Sequence, residues 1–460
     1  MERIQHYRNQ LESVISGKPW IVAAGVLVNA TQKAETLLEL GADRVFAIGT
    51  SRGTGLVVED PRITPVQLEI RGTTLMGGLR ASEAALDALP DEIVAELDAF
   101  DPGREALVVR DLYSECRPVG GRRTFGPRPK DWIALEDKTC IDAFWDAAGV
   151  FRAPSRVVQV ERAALQRAHE ELDSGSGTVW VADNKDGWHG AAQGVRVVRS
   201  KDDAKVALEY LQGIANEVRV MPFLDGIPCS IHGFVHEKDI AVFRPCEMLV
   251  FGTGSTAFAY AGAATYWEPS SQDSRAMRDV ARDVGRHLQD TVDYRGAYCV
   301  DGILTADGFM PTELNPRFGA AIGNLAKGVP GLPLYMLHLA IVEGLDLDYR
   351  LQELEDLVVT SSRANPSGRS ARAIPAPHDP RSARLVIEDD EVRFAAEGEA
   401  AQVAVDLGPS TIGSYLVLEA NAAQLPYGPP LAPLLCRAFA FLDAQWQLGI
   451  GQLEAARSVR

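Results

Sequence analysis

Apolar residues recur at helical spacing through residues 3–16 and then give way to the continuous run Trp20–Val28, the pattern of a buried strand. Thr31–Leu40 reads as a helix closed by Gly41, and Arg44–Ile48 as a second strand. This strand-helix-strand order predicts a parallel, three-layer α/β opening. Asp131–Val150 carries a stripe of Leu135, Ile141, Phe144, Trp145 and Ala148 at helical spacing, with Lys138 on its other side. Strands are then predicted at Ser155–Val160 and Thr178–Asn184, and helices at Glu161–Leu172 and Lys201–Leu211. Glu217–Leu224 is a strand that Pro222 interrupts, as in an edge or hinge segment. Cys229–Val235 and Ile240–Phe243 alternate as antiparallel strands, followed by helices at Ser274–Val292 and Leu332–Glu343. Ser361–Arg384 is rich in Ser, Arg and Pro and reads as a linker. Strand-like Arg384–Asp406 and the apolar helix Leu431–Leu448 make a small C-terminal α+β unit.

One stretch in this pattern carries polar residues that a plain strand does not need. Ala297–Leu304 and Phe309–Asn315 read as a hairpin around Asp307-Gly308. A three-residue loop Ala306-Asp307-Gly308, with Gly308 left-handed, pairs Thr305 with Phe309 and sets Asp301 opposite Glu313. Cross-strand β-carbons lie roughly 4.5–5.5 Å apart, where like charges repel unless a cation sits between them. Asn315, two residues on, adds a neutral oxygen to the same face, a donor set that suits Mg²⁺. Arg317 follows as a fixed cation for an anion beside the metal. A two-residue loop would place Asp301 and Glu313 on opposite faces.

Composition narrows the function. The 460 residues include 46 basic and 63 acidic ones, for a net charge of −17, which argues against binding nucleic acid or an anionic membrane. The length suggests about three or four domains. Six scattered cysteines form no CxxC pair and read as reduced packing residues. No secretory signal is visible, and the longest apolar run is too short for a bilayer, so a cytoplasmic protein is expected. Residues 104–130 hold seven basic residues, read as a solvated connector or an approach surface for an anion. Gly49–Gly55 follows a strand but does not match GxGxxG, which favours an ordinary turn over a dinucleotide site. The segment Lys185-Asp-Gly187-Trp-His189-Gly190-Ala-Ala-Gln-Gly194 fits equally a mobile loop closing over phosphates and a long hairpin turn.

With Lys138, Lys185, the interrupted hinge and the Asp301/Glu313/Asn315/Arg317 hairpin in this order, the chain resembles the ATP-grasp superfamily over roughly residues 129–345. The resemblance implies an α/β and α+β multidomain fold. A pre-ATP-grasp α/β domain would span 1–128, a small lobe with the phosphate loop 129–219, a large lobe with the metal site 220–345, and a linker and C-terminal α+β domain 346–460. It also implies ATP between the lobes, with Lys138 and Lys185 on its phosphates and Gly187, His189 and Gly190 in the closing loop. The adenine would meet the hinge backbone at Pro222 and Leu224. Asp301, Glu313 and Asn315 would hold one or two Mg²⁺, with Mn²⁺ able to substitute. Met221 departs from the acidic residue often found at that hinge.

Relatives with this plan join a carboxylate to an amine through an acylphosphate, releasing ADP and phosphate. The implied substrates are a small acid and an amine, an amino acid or a peptide, and homodimers are common among relatives. Arg317 or Arg244 would stabilise the tetrahedral oxyanion. The layout looks similar to peptide ligases of natural-product biosynthesis of the pheganomycin type. A phosphotransferase giving a stable phosphorylated product, and a non-catalytic ATP-binding protein, are the alternatives.

Overall fold

The computed structural model describes residues 2–111, 117–184, 190–237, 239–388 and 391–456. Four strands open the chain: β1 (Pro19–Ala24), β2 (Arg44–Gly49), β3 (Ile63–Gln67) and β4 (Leu107–Arg110). They form a parallel sheet in the order β3-β2-β1-β4. The apolar run from Trp20 is split: β1 stops at Ala24 and a helix begins at Leu27, whose Leu27 and Val28 are buried as helix residues. The first N–H groups of that helix donate to Ser51 O and Arg52 O, at 2.8 and 3.1 Å. A Cβ on Gly49 would lie 2.2 Å from Leu27 N. The Gly49–Gly55 segment is thus packed against the helix start, occupying the amides a dinucleotide phosphate would need.

A second sheet holds β5 (Arg156–Gln159), β6 (Thr178–Ala182), β7 (Val195–Val198) and β8 (Glu217–Pro222), antiparallel in the order β5-β8-β6-β7. The third begins with β9 (Ile227–His236), β10 (Asp239–Val242), β11 (Cys246–Gly252) and β12 (Phe258–Ala264). It continues through β13 (Gly296–Thr305), β14 (Gly308–Asn315), β15 (Gly368–Ile374), β16 (Arg381–Glu388) and β17 (Glu391–Phe394). β18 (Val403–Ser410), β19 (Gly413–Ala420) and β20 (Glu454–Ala455) complete it. The path runs β14-β13-β9-β11-β12-β15-β19-β18-β16-β17.

That order corrects the linker. Ser361–Arg384 contains the end of a helix, Leu351–Ala364, and β15, which pairs with β12 on one side and β19 on the other. The C-terminal strands therefore extend the same sheet that carries the carboxylate hairpin. Ser370 in β15 is fully buried, so the polar composition that reads as a linker is carried by a strand in the middle of the sheet.

The predicted helix Asp131–Val150 is two short helices, Lys130–Ala134 and Ile141–Ala147. The break falls at Asp137-Lys138-Thr139, where Asp137 Oδ1 accepts from Thr139 N at 2.9 Å and Thr139 Oγ1 at 2.7 Å. An aspartate that caps its own turn in this way competes with helical hydrogen bonding. The second helix packs Ile141, Phe144 and Trp145 into one core with Met277, Val284 and Leu288 of helix Ser271–Val292 and Tyr298, Val300 and Leu314 of the hairpin. Arg110, Arg122 and Arg128 are buried and paired with Glu83 and Asp87, Asp98 and Asp101, and Glu136 respectively. The basic stretch is thus neither a solvated connector nor an open anion surface at these residues.

Candidate active site

The hairpin turn is shorter than the sequence suggests. Thr305 pairs with Gly308 and Leu304 with Phe309, so the loop is the two residues Ala306 and Asp307. Continued regularly, that register would set Asp301 against Thr312 and turn Glu313 to the other face. A β-bulge prevents it. Gly302 pairs with Pro311, the ladder shifts, and Asp301 pairs with Glu313, leaving Thr312 as the extra residue. The sequence carries two signals of this bulge. A Cβ on Gly302 would lie 2.4 Å from Met310 O, so the close approach requires glycine. Pro311 sits on the edge strand β14, where a missing N–H is tolerated.

The bulge gathers a polar row on one face. Asp301 Oδ2 accepts from Asn315 Nδ2 at 2.9 Å, and Asp301 Oδ1 from the Cys299 thiol at 2.8 Å. Asn315 Oδ1 accepts from Arg317 at 2.9 Å, and Arg317 Nε donates to Glu136 Oε1 at 3.2 Å. Lys138 Nζ lies 2.8 Å from Glu313 Oε1, with the two side chains 12% and 25% exposed. Burial, and after it the facing Glu313 carboxylate, push Asp301 up to about 7, against the pull of Arg317 and Lys138. Asp301 also pairs across β9 with Ser230, and Cys299 with His232. His232 is buried, sits 2.8 Å from Ser230 Oγ, and is pushed down to about 3 by burial, so it is neutral at pH 7.

The break between the two short helices brings Lys138 to the hairpin, a placement one continuous helix would not give. Asp137 also ties that turn to the end of β6, since its Oδ2 accepts from Asn184 N at 3.3 Å. Asn184, which follows β6, is therefore anchored beside Lys138. Lys185, Gly187 and His189 lie outside the described residues. Gly190 O accepts from Gln193 N at 3.0 Å, and Ala191 and Ala192 follow with φ of 53° and 62°. Two successive non-glycine residues in the left-handed region cost about 1–2 kcal/mol each, a strain typical of functional loops.

At the hinge, Pro222 ends β8 opposite Thr178, and Phe223 N donates to Gly177 O at 2.9 Å. Met221 is buried and Leu224 half-buried. Arg244 requires a correction. Its guanidinium donates to Thr265 O at 2.7 Å, Trp267 O at 2.8 Å and Glu268 at 2.8 Å, and it is 1% exposed. With both terminal nitrogens committed to main-chain carbonyls after β12 and to Glu268, it braces that segment and is not a cation available to an oxyanion. Sequence reasoning also missed Glu136, Asp137, Arg219 and Cys299. Glu136 and Cys299 touch Arg317 and Asp301 directly, while Asp137 and Arg219 bond to residues flanking Lys138 and Glu313, and no spacing rule marks such partners.

Asp301 and Glu313 fit a divalent cation on the chemistry of the donors: two carboxylates held together on a half-buried face, with an amide beside them. Among the described residues no cluster of three His, Cys, Asp or Glu side chains could hold a metal, so any cation here would draw its remaining ligands from Asn315, phosphate or water. No helix among the described residues is long and apolar enough to cross a membrane.

Residues 149–321 match the family model of the ATP-grasp domain. No curated protein matches the sequence. Among solved structures, the chain is similar to a biotin carboxylase from Campylobacter jejuni with a TM-score of 0.57 and 12% identity, covering 89% of this chain and 88% of that one. An L-amino acid ligase from Bacillus licheniformis matches with a TM-score of 0.52 and 10% identity, covering 95% and 98%. A carboxyaminoimidazole ribonucleotide synthase from Aspergillus clavatus, complexed with ATP, matches at 0.52 and 13%, covering 94% and 99%. At these identities the likeness is one of fold.

Proposed function

Because residues 149–321 match the family model of the ATP-grasp domain, we propose that the protein is an ATP- and Mg²⁺-dependent ligase joining a carboxylate to an amine. The observation that carries this reading is the bulged hairpin, which sets Asp301 against Glu313 with Lys138 and Arg317 on the same constellation. Asp301, Glu313 and Asn315 would hold Mg²⁺, which when bound supplies positive charge to the phosphate oxygens during transfer. Lys138 is paired with Glu313 and competes with a cation for that carboxylate. Released from it, the ammonium group is placed to meet phosphate as a point charge.

In the proposed reaction a carboxylate oxygen attacks the γ-phosphorus of ATP and ADP leaves, giving an acylphosphate. The amine nitrogen then attacks the acyl carbon, phosphate leaves, and the amine loses a proton as the amide forms. Arg317, fixed by Asn315 and Glu136, orients the carboxylate and stabilises charge on the acyl oxygen. The segment between β6 and β7 would close over the phosphates through its backbone amides, with Lys185, Gly187, His189 and Gly190, and exclude water from the acylphosphate. Pro222 and Leu224 offer backbone to the adenine. An L-amino acid ligase among the neighbours of the same fold is consistent with amide formation.

The test is ADP release from ATP and Mg²⁺ across pairs of amino acids, small acids and peptides, with product mass. Turnover requiring both an acid and an amine supports the ligase. A stable phosphorylated product formed without amine would replace it with a phosphotransferase.

A further inference from the structure

We propose that Arg219 is a positioning residue that holds the carboxylate hairpin in the register its cation site needs, acting from the hinge strand of the facing sheet. Arg219 lies in β8, two residues before Met221, and its side chain is 0% exposed. One arm reaches Asp142 Oδ1 at 2.7 Å, on the short helix four residues beyond Lys138. Another donates 3.1 Å to Thr312 O. Thr312 is the residue the bulge leaves unpaired.

That contact bears on the site because the bulge is what makes the site. An unpaired residue leaves its carbonyl without a ladder partner, and a part-buried carbonyl left without a donor favours a return to regular pairing. Here Thr312 is held at both ends: its hydroxyl donates to Asp301 O at 3.3 Å, and its carbonyl takes the Arg219 guanidinium. A return to the register of the two-residue turn would rotate Glu313 off the face it shares with Asp301. A buried guanidinium is costly to desolvate, and Asp142 offsets that cost without explaining the second arm. Arg219 is therefore the link by which the hinge strand and the cation ligands share one geometry.

The inference rests on reading Asp301 and Glu313 as cation ligands, and the test separates the two. Mn²⁺ affinity of the full chain without nucleotide is measured by electron paramagnetic resonance of the free ion, alongside thermal unfolding. Glu313→Gln should abolish tight binding; retained binding would defeat the cation reading itself. Arg219→Met should weaken Mn²⁺ at least tenfold. Combined with Glu313→Gln it should add nothing further, since both act on one carboxylate. Arg152→Met removes another partner of Asp142 but does not reach the hairpin, and should leave Mn²⁺ affinity unchanged. Arg219→Lys keeps the charge but cannot span Asp142 and Thr312 together, and should also weaken Mn²⁺. It decides the matter if Arg219→Met does not fold. Wild-type Mn²⁺ affinity in the Arg219 variants, with Glu313→Gln impaired, would overturn the inference and leave Arg219 a structural ion-pair member.

Discussion

Asp301 and Glu247 are two carboxylates of the same sheet, both pushed up to about 7 by burial, and they differ in what faces them. Glu247, 1% exposed, accepts from Leu431 N at 2.6 Å and Ala432 N at 3.0 Å, at the start of the helix Ala432–Trp446. Its two oxygens are matched by two donors, so its burial serves the fold. Asp301 has donors as well, from Asn315 and Cys299, but a second carboxylate lies directly across the ladder. A raised carboxyl alone therefore does not mark a site. What marks one is a repulsion that the protein's own structure enforces and that a cation would relieve.

The comparison can be broken at several points. The largest effect is expected from Glu313→Ala, which removes the opposing carboxylate and should lower ATP turnover about 10³-fold, the equivalent of about 4 kcal/mol of transition-state charge stabilisation. ADP release under saturating substrates checks it. Arg317→Met should cost about 10²–10³ in rate with a small change in melting temperature, because Arg317 is partly exposed and its partner Glu136 retains Arg128.

Changes at Glu247 should invert that pattern. Glu247→Ala strands the buried amides of Leu431 and Ala432 and should cost about 1–3 kcal/mol in urea unfolding, while turnover per folded molecule stays near wild type. The smallest effect is one of pH. Glu247 has a folded pKa above its unfolded one, so between about pH 4.5 and about 7 the native state binds more protons than the unfolded. Its contribution is complete below that window and is lost as pH rises through it. Urea midpoints measured across the window should fall less steeply with pH in Glu247→Gln than in wild type, with the remaining slope owed to Asp301 and the other titrating groups.

Much of the constellation is legible in the residues alone. The alternation of Ala297–Asn315 and the two flanking acids predict that Asp301 faces Glu313, and they do face each other. The reason given by the sequence, a three-residue loop, is not the one the fold uses. A two-residue turn and a bulge at Thr312 reach the same pairing, and Gly302 and Pro311 are the residues that permit it. Lys138 shows the same division. Its residue type and order are visible in the chain, yet a stripe at helical spacing hides the break that Asp137 makes by capping its own turn.

What the sequence determined by itself is whatever depends on neighbours along the chain: the apolar run that opens as β1, the alternation of β13, the helix that ends at Val292, the order of lysine, hinge and acids. Tertiary structure decided what depends on partners far apart. It turned the polar segment around Ser370 into a strand between β12 and β19, because the sheet supplied ladder partners and burial that composition does not reveal. It spent Arg244 on carbonyls and Arg122 on Asp101, because a guanidinium is interpretable only once its acceptors are in place. It also set Arg219 on Thr312, across 93 residues of chain, where a single carbonyl fixes the register of the hairpin.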